Sequence, residues 1–249
     1  MTDLPPKGLT RRQLLVSSAT TLAVGAAATA KAATLTAVPQ WVPFDHNGPM
    51  HYDTPGWQFF TAEEAREVEA IVERLIPADD LSVSGKDAGC AVFIDRQLAG
   101  EYGTFDRLYM QGPFEKGTPM QGDQSPLVPR ERYRLGIAAL TAHCQKQFQK
   151  TFSALSNEER DKVLTDLEKG AIELDGIDAK LFFQQVLGNT MEGFFADPVY
   201  GGNRDMVSWK MIGFPGARYD YRDYIGRHNQ KLDLIPISII GNAAWQKKG

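Results

Sequence analysis

Apolar residues recur every three to four positions in five stretches of the chain, and this period predicts helices. Two stretches begin with a capping box, in which a hydroxyl residue is followed three positions later by Glu: Thr61 with Glu64, and Ser156 with Glu159. No stretch shows a convincing strand pattern, and no segment is repeated. The predicted helices cover residues 61–76, 87–98, 131–152, 156–169 and 178–195.

The last of these helices, 178–195, is the one that we expect at the centre of the core. It is apolar enough to be surrounded by the others. Its apolar residues are Leu181, Phe183, Val186, Leu187, Met191 and Phe194. The predicted fold class is therefore mainly α, a small helical domain with long loops and extended N- and C-terminal arms.

Long segments without a helical period separate and flank these helices. The segment 100–130 contains five Gly and four Pro together with several aromatic residues, which is typical of a loop that packs on another protein surface. The residues before Trp57 are rich in Pro, Gly and aromatics and predict an extended arm. The expected organisation is a signal at 1–32, an aromatic arm at 33–57, a helical domain at 58–220 and a tail at 221–249.

The first 32 residues have the three parts of an export signal. A polar start leads to Arg11 and Arg12, an apolar stretch follows over 14–30, and a small-residue cleavage pattern ends at Ala32. Paired arginines at this place are typical of the twin-arginine signal, which a translocase reads as an address. The alternative is an uncleaved membrane helix, but spanning a bilayer takes about 20 strongly apolar residues, and this stretch is mostly Ala, Thr and Ser. We expect cleavage after Ala32 and a periplasmic location.

The twin-arginine route carries folded proteins, usually because a cofactor or a partner has to be fitted first. Without the signal the chain has 23 basic and 30 acidic residues, a formal charge of −7. An acidic chain without a basic stripe is a poor candidate for binding nucleic acid. The best apolar stretch after the signal, 232–244, is interrupted by Asp233 and Pro236 and is too short to cross a bilayer.

Two cysteines, Cys90 and Cys144, would reach an oxidising compartment, where a disulfide can persist. Both lie on apolar helical stripes, where a free Cys is a common core residue. An internal disulfide, a disulfide to a partner and two buried thiols all remain open, because sequence spacing does not give the Cα separation that a disulfide needs.

The sequence motifs that bind common cofactors are missing. There is no G-x-G-x-x-G loop, and two cysteines 54 positions apart make neither a C-x-x-C-H haem site nor a four-thiolate cluster. His46 and His51 flank a turn in the arm, and Asp79 with Asp80 follows the first helix. A metal site or an acid–base pair could use them, but solvated arm residues and turn-forming carboxylates are the more common roles. We predict no catalytic, cofactor-binding or metal site in this chain.

Four short segments, in a fixed order, resemble a known family. They are Ile76-Pro77-Ala78-Asp79-Asp80, Gly89 with Phe93-Ile94-Asp95, Phe194-Phe195-Ala196-Asp197-Pro198 with Tyr200-Gly201-Gly202-Asn203, and Trp209 with Gly213-Phe214-Pro215-Gly216. Over about residues 60–220 the chain resembles the small (gamma) subunit of membrane-bound, flavin-dependent gluconate 2-dehydrogenase. Cys90 departs from the pattern, since an ordinary apolar residue is expected there.

The resemblance implies a complex of three chains. A large subunit binds FAD and oxidises a sugar acid, and a multi-haem cytochrome c subunit passes the electrons to membrane quinone. The small subunit has no cofactor and no catalytic residue, and it is needed for the large subunit to mature and to be exported. The complex is attached to the outer face of the cytoplasmic membrane. Relatives serve other sugar dehydrogenases, so the sugar acid is left open.

The arm, the 100–130 loop and the tail carry more apolar surface than one small domain readily covers, and such patches mark interfaces. Phe214, on a turn beside Pro215, is the candidate anchor. The candidate partner-interface residues are Trp41, Phe44, Tyr109, Phe114, Tyr200, Phe214 and Pro215. Two other functions stay open: an autonomous periplasmic enzyme, or a solute-binding protein, that uses Asp79 and Asp80 or the arm histidines.

Overall fold

The computed structural model describes residues 56–115, 117–218 and 221–239, all within the unit Pro43–Gly249. The export signal, most of the arm and the last ten residues lie outside them. The described residues form seven α-helices and no β-strand, which confirms the mainly α fold class. The helices are α1 Ala62–Leu75, α2 Cys90–Ala99, α3 Glu101–Thr104, α4 Pro129–Phe148, α5 Asn157–Lys169, α6 Ala179–Phe195 and α7 Val207–Ile212. Within the described part, no helix has the length and apolarity needed to cross a membrane.

Both predicted capping boxes are present and begin α1 and α5. The hydroxyl of Thr61 accepts the backbone N–H of Glu64 at 3.2 Å, and the Glu64 carboxylate accepts the backbone N–H of Thr61 at 2.8 Å. Ser156 and Glu159 make the same pair of bonds at 3.3 and 2.8 Å. Asp178 caps α6 by accepting a backbone N–H at 2.8 Å. Each cap satisfies donors that a helix leaves unpaired at its first turn.

Two predicted boundaries were wrong, because the backbone enters the left-handed region at each. α2 begins three residues later than predicted, since Gly89 has a φ of +84° and cannot belong to the helix. α4 ends at Phe148, four residues early, where Gln149 has a φ of +57°. The chain turns there and buries Phe152 completely in the next turn. The short helices α3 and α7 were not predicted.

The predicted central helix is confirmed, since α6 packs on α1, α2, α4, α5 and α7. Phe182 of α6 meets the ring of Tyr133 of α4 at 6.1 Å between centroids. Gly136 allows α4 to come this close, because a Cβ there would lie 2.2 Å from the Phe182 ring. At the other end of α6, Gly193 makes the same room for Phe93 of α2. Burying each large apolar side chain stabilises the fold by about 1.5–3 kcal/mol.

A buried carboxylate fixes the residues that precede α1. Asp95 of α2 is fully buried and accepts the backbone N–H groups of Gln58, Phe59 and Phe60 at 2.8–2.9 Å. The Arg96 guanidinium donates to the same carboxylate at 2.5 Å. Buried charges are tolerated where they are paired and hydrogen-bonded in this way. The segment is therefore joined to the helical bundle.

Candidate partner interface

The turn at residues 213–217 presents Phe214 at the surface on a rigid base. Trp209 of α7 is buried, and its indole N–H donates to the Phe195 carbonyl oxygen at 2.9 Å. The ring of Phe214 lies edge-on to Trp209, with 5.1 Å between centroids. The Phe214 N–H donates to the Trp209 carbonyl oxygen at 2.9 Å, and Gly213, with a φ of +72°, ends α7. Phe214 is nevertheless 44% exposed.

Asn203 joins the start of α7 to the end of α6. It is fully buried, with a φ of +42°. Its side-chain N–H donates to the Ala196 carbonyl oxygen at 2.9 Å, and its side-chain oxygen accepts the N–H and the hydroxyl of Ser208 at 3.0 and 2.8 Å. A Cβ at neighbouring Gly202 would lie 2.1 Å from the Gly193 carbonyl oxygen, so the two backbones touch here.

Asp197 connects the tail to the same place. Its carboxylate is buried and accepts the N–H of Val199 at 3.0 Å, the hydroxyl of Ser238 at 2.6 Å and the N–H of Ile239 at 2.7 Å. Hydrogen bonds to a charged acceptor contribute more than neutral ones. The tail was predicted to be extended, and its described residues contain no α-helix.

The tail also pairs with the turn that carries Phe214. Ile237 forms an isolated parallel bridge with Gly216, in which the Ala217 N–H donates to the Ile237 carbonyl oxygen at 2.7 Å. Gly216 has a φ of +76°, and a Cβ there would lie 2.2 Å from that oxygen. The Arg218 guanidinium donates to the Ile235 carbonyl oxygen at 2.7 Å. The turn is thus held from α7 and from the tail.

The 100–130 loop exposes several apolar side chains and is held at its two ends. At its start, the Tyr102 hydroxyl accepts a side-chain N–H of Asn189 of α6 at 3.0 Å. Toward its end, the buried Arg132 of α4 donates to the Leu127 carbonyl oxygen at 2.9 Å and forms an ion pair with Asp123. The same guanidinium lies 5.9 Å from the Phe105 ring centroid. Leu108, Tyr109 and Met120 are exposed between these points.

An open groove of 750 Å³ lies between this loop and the start of α6. Its lining includes Phe114, Asp123, Lys180 and Leu181. Ligand pockets that bury most of a small molecule are closed and mainly apolar. This groove is open to solvent.

The predicted interface residues that the structure describes fall into three separate places along the chain. Tyr109 and Phe114 are exposed in the loop, and Phe214 and half-buried Pro215 occupy the turn. Tyr200, 36% exposed, follows α6. Trp41 and Phe44 lie outside the described residues.

Asp79 organises a turn. Its carboxylate accepts the N–H groups of Leu81 and Ser82 at 2.8 and 2.9 Å, and both Asp79 and Asp80 are exposed. His46 and His51 lie outside the described residues. Elsewhere in the described ranges, no cluster of three or more His, Cys, Asp or Glu residues could hold a metal ion.

Cys90 and Cys144 are both free and fully buried. Burial raises the pKa of each thiol to about 12, because the thiolate would lose its hydration. The reactive species in disulfide exchange is the thiolate, so both groups are poorly reactive in the folded chain. Of the alternatives that the sequence left open, this geometry favours two buried thiols.

The sequence analysis did not identify the buried polar residues that hold the 213–217 turn and the segment before α1. Asp95, Asp197 and Asn203 each satisfy several buried backbone or side-chain groups. A signal for them was available, because all three lie in the segments that carry the family resemblance. Gly89 belongs to the same set, and a Cβ there would lie 2.6 Å from the Gly201 carbonyl oxygen. These residues of the resemblance segments therefore lie where distant parts of the chain come into contact.

The described residues form a small helical protein with an exposed apolar turn that buried contacts hold in place. The family described as gluconate 2-dehydrogenase subunit 3 matches residues 62–216, more than half of the chain, and the chain belongs to this family. The resemblance drawn from the four segments is therefore confirmed. No curated protein and no solved structure gives a significant match.

Proposed function

We propose that this chain is the non-catalytic small subunit of a periplasm-facing, FAD-dependent gluconate 2-dehydrogenase complex. The large subunit carries FAD, a multi-haem cytochrome c subunit carries haem c, and neither group is bound by this chain. The small subunit is needed for the flavoprotein subunit to mature, to be exported and to remain stable. The complex is attached to the outer face of the cytoplasmic membrane through the partner subunits.

Membership of the subunit 3 family over residues 62–216 carries this proposal. The exposed apolar side chains support it, since Phe214, Tyr109 and Met120 present apolar surface that a partner could cover. The twin-arginine pattern at Arg11 and Arg12 supports joint export, because that signal is read on folded proteins. A chain of this kind contributes binding surface, and the partner subunits contribute the redox chemistry.

The location of the flavoprotein tests the maturation and export role. The large subunit is expressed with and without this chain, and gluconate oxidation is measured in periplasmic and cytoplasmic fractions. We expect periplasmic activity only when both chains are present. Periplasmic flavoprotein of full activity in the absence of this chain would contradict the proposal.

The signal is tested by replacing both arginines. In the double variant Arg11→Lys and Arg12→Lys the charge is kept and the twin-arginine pattern is lost, so both chains should remain in the cytoplasm. A Lys7→Arg variant, which leaves the pattern intact, serves as the control. Normal export of the double variant would show that another signal is used.

The purified chain also separates this proposal from an autonomous enzyme. We expect it to oxidise no gluconate alone and to show no flavin or haem absorbance after purification from the periplasm. Turnover by the isolated chain that is lost in Asp80→Ala would support the enzyme alternative instead.

A further inference from the structure

The charge of the chain is divided unevenly along its length. Residues 33–203 contain 15 Lys and Arg against 26 Asp and Glu, a formal charge of −11. Residues 204–239 contain six Lys and Arg against four Asp, a formal charge of +2, and Lys247 with Lys248 raises the formal charge of 204–249 to +4. An acidic body therefore continues into a basic C-terminal segment, although the mature chain as a whole is acidic.

The described part of this basic segment is also rich in exposed apolar residues. Lys210, Arg227 and Lys231 are exposed. The exposed apolar side chains of the same segment are Met211, Ile212, Phe214, Tyr221, Ile225 and Ile235. Apolar anchors with charged groups around them are the composition of a protein–protein interface.

The two ends of this segment, the 213–217 turn and residues 237–239, are held to the rest of the fold before any partner binds. Phe214 rests on Trp209, the turn pairs with Ile237, and Asp197 fixes residues 238 and 239. A surface that is already in its bound conformation loses less entropy on association. The segment thus combines basic side chains, exposed apolar side chains and a turn that is held in place.

We propose that residues 204–218 and 221–239 form the surface through which this chain binds an acidic face of its flavoprotein subunit, with Phe214 as the apolar anchor. This inference rests on the proposed function. A protein partner is favoured over an anionic membrane by two features. The basic residues are spaced singly, whereas lipid-binding segments cluster four to eight of them, and α7, with six residues, is too short for an interfacial amphipathic helix.

The test uses the full chain and the FAD-bearing large subunit, with association and dissociation rates measured at low and high NaCl. The variant Lys210→Glu, Arg227→Glu and Lys231→Glu should associate about tenfold more slowly at low salt, and the difference should shrink at high salt. The matched control Arg66→Glu, Lys86→Glu and Lys150→Glu makes the same change in net charge on the helical body. It should associate within about twofold of the unmodified chain, because these residues lie outside the proposed surface.

Phe214→Ala tests the anchor separately. It should raise the dissociation rate about tenfold or more at both salt concentrations, while Tyr109→Ala in the loop should have a much smaller effect. Helicity by circular dichroism is measured for each variant. If Phe214→Ala lowers helicity while the residual folded chain assembles normally, Phe214 is a core residue and the anchor assignment is wrong.

The remaining outcomes distinguish other occupants of the surface. Equal slowing by the two charge variants would overturn the proposal. Unchanged flavoprotein binding, combined with loss of binding to vesicles that contain phosphatidylglycerol, would assign the surface to the membrane. Loss of a self-associated species in light scattering would assign it to a second copy of this chain. If the unmodified chain does not bind the flavoprotein at all, the proposed function itself fails, and that result is separate from the other three.

Discussion

The 213–217 turn and residues 105–126 of the 100–130 loop (the 105–126 loop) both expose aromatic and apolar side chains, but the two are held in different ways. Phe214 in the turn is 44% exposed, and Tyr109 in the loop is 83% exposed. The turn is joined to the bundle by buried side chains, among them Trp209 and Asn203. The loop relies on Arg132 and its ion pair with Asp123.

This difference teaches that exposure alone does not define an interaction site. A side chain on a preformed base contributes to binding at a low cost in conformational entropy, whereas a loosely held loop has to be ordered first. We therefore expect the turn to provide affinity and the loop to adapt after contact. The four predictions below test this distinction, beginning with the largest expected effect.

Asn203→Ala should destabilise the chain by about 3 kcal/mol, since it leaves three buried hydrogen-bonding groups without their partner. Asn229→Ala is the matched control, because Asn229 also has a positive φ but is exposed. The conformational penalty is therefore shared, and the difference between the variants reports the buried hydrogen bonds. Urea unfolding measures both free energies. Equal losses of unfolding free energy in the two variants would mean that the buried hydrogen bonds of Asn203 do not stabilise the turn.

Gly216→Ala should cost about 2–3 kcal/mol and release the tail. Its φ is +76°, and the new Cβ would lie 2.2 Å from the Ile237 carbonyl oxygen, so strain and a clash add together. Gly170→Ala at the end of α5 has a left-handed φ of +67° but open space around it, so we expect only about 1 kcal/mol. Limited proteolysis should cut the tail faster in Gly216→Ala alone. Tail cleavage at the same rate in both variants would contradict the pairing seen at Ile237.

Asp123→Asn should loosen the loop with a global destabilisation of about 1 kcal/mol. The charge of the ion pair is lost, but the Asn side-chain oxygen can still accept a hydrogen bond from the Arg132 guanidinium, and Asp123 is partly exposed. Proteolysis within 105–126 should become about tenfold faster, as expected for local opening. Asp106→Asn, an exposed carboxylate in the same loop, is the control. An unchanged cleavage pattern in Asp123→Asn would show that the ion pair does not hold the loop.

Thiol labelling should show the smallest effect of the variants, because Cys90 and Cys144 are buried in the helical core to which the turn and the loop are attached. At pH 8 Cys90 and Cys144 should resist maleimide in the native chain, in Gly216→Ala and in Asp123→Asn, and should react in urea. The pKa of each thiol rises from 9.0 to about 12 on folding, so the folded state holds its proton more tightly. This contribution to stability is fully present below pH 9 and is lost as the pH rises from 9 toward 12. Rapid labelling of either variant would mean that its defect reaches the core.

Most of the helical framework could be predicted from local signals. The capping boxes at Thr61 and Ser156 and the apolar period of α6 depend on residues only a few positions apart, and such signals survive in any context. The start of α2 could not be placed in this way. Gly89 takes a left-handed conformation because Gly201, more than 100 positions later, packs against it.

The candidate surface was predicted only in part. Phe214 was selected from its turn, but nothing near it in sequence indicates that Asp197 and Ile237 brace that turn. A buried carboxylate such as Asp95 has the sequence appearance of an ordinary helix acid, because burial is decided by the elements that pack over it. Asp95 and Asp197 lie in the segments that carry the family resemblance, but those segments do not show that the two side chains are buried.

By itself the sequence determined the helix type, most helix starts, the family and the separation of an acidic body from a basic end. These follow from residue period, hydrogen-bonding side chains and charge, which are local or additive properties. The tertiary structure decided which polar groups are buried, where α2 and α4 are bounded, and which exposed aromatic is held rigidly. Those outcomes depend on close approach between residues that are distant in the chain, and only packing brings such residues together.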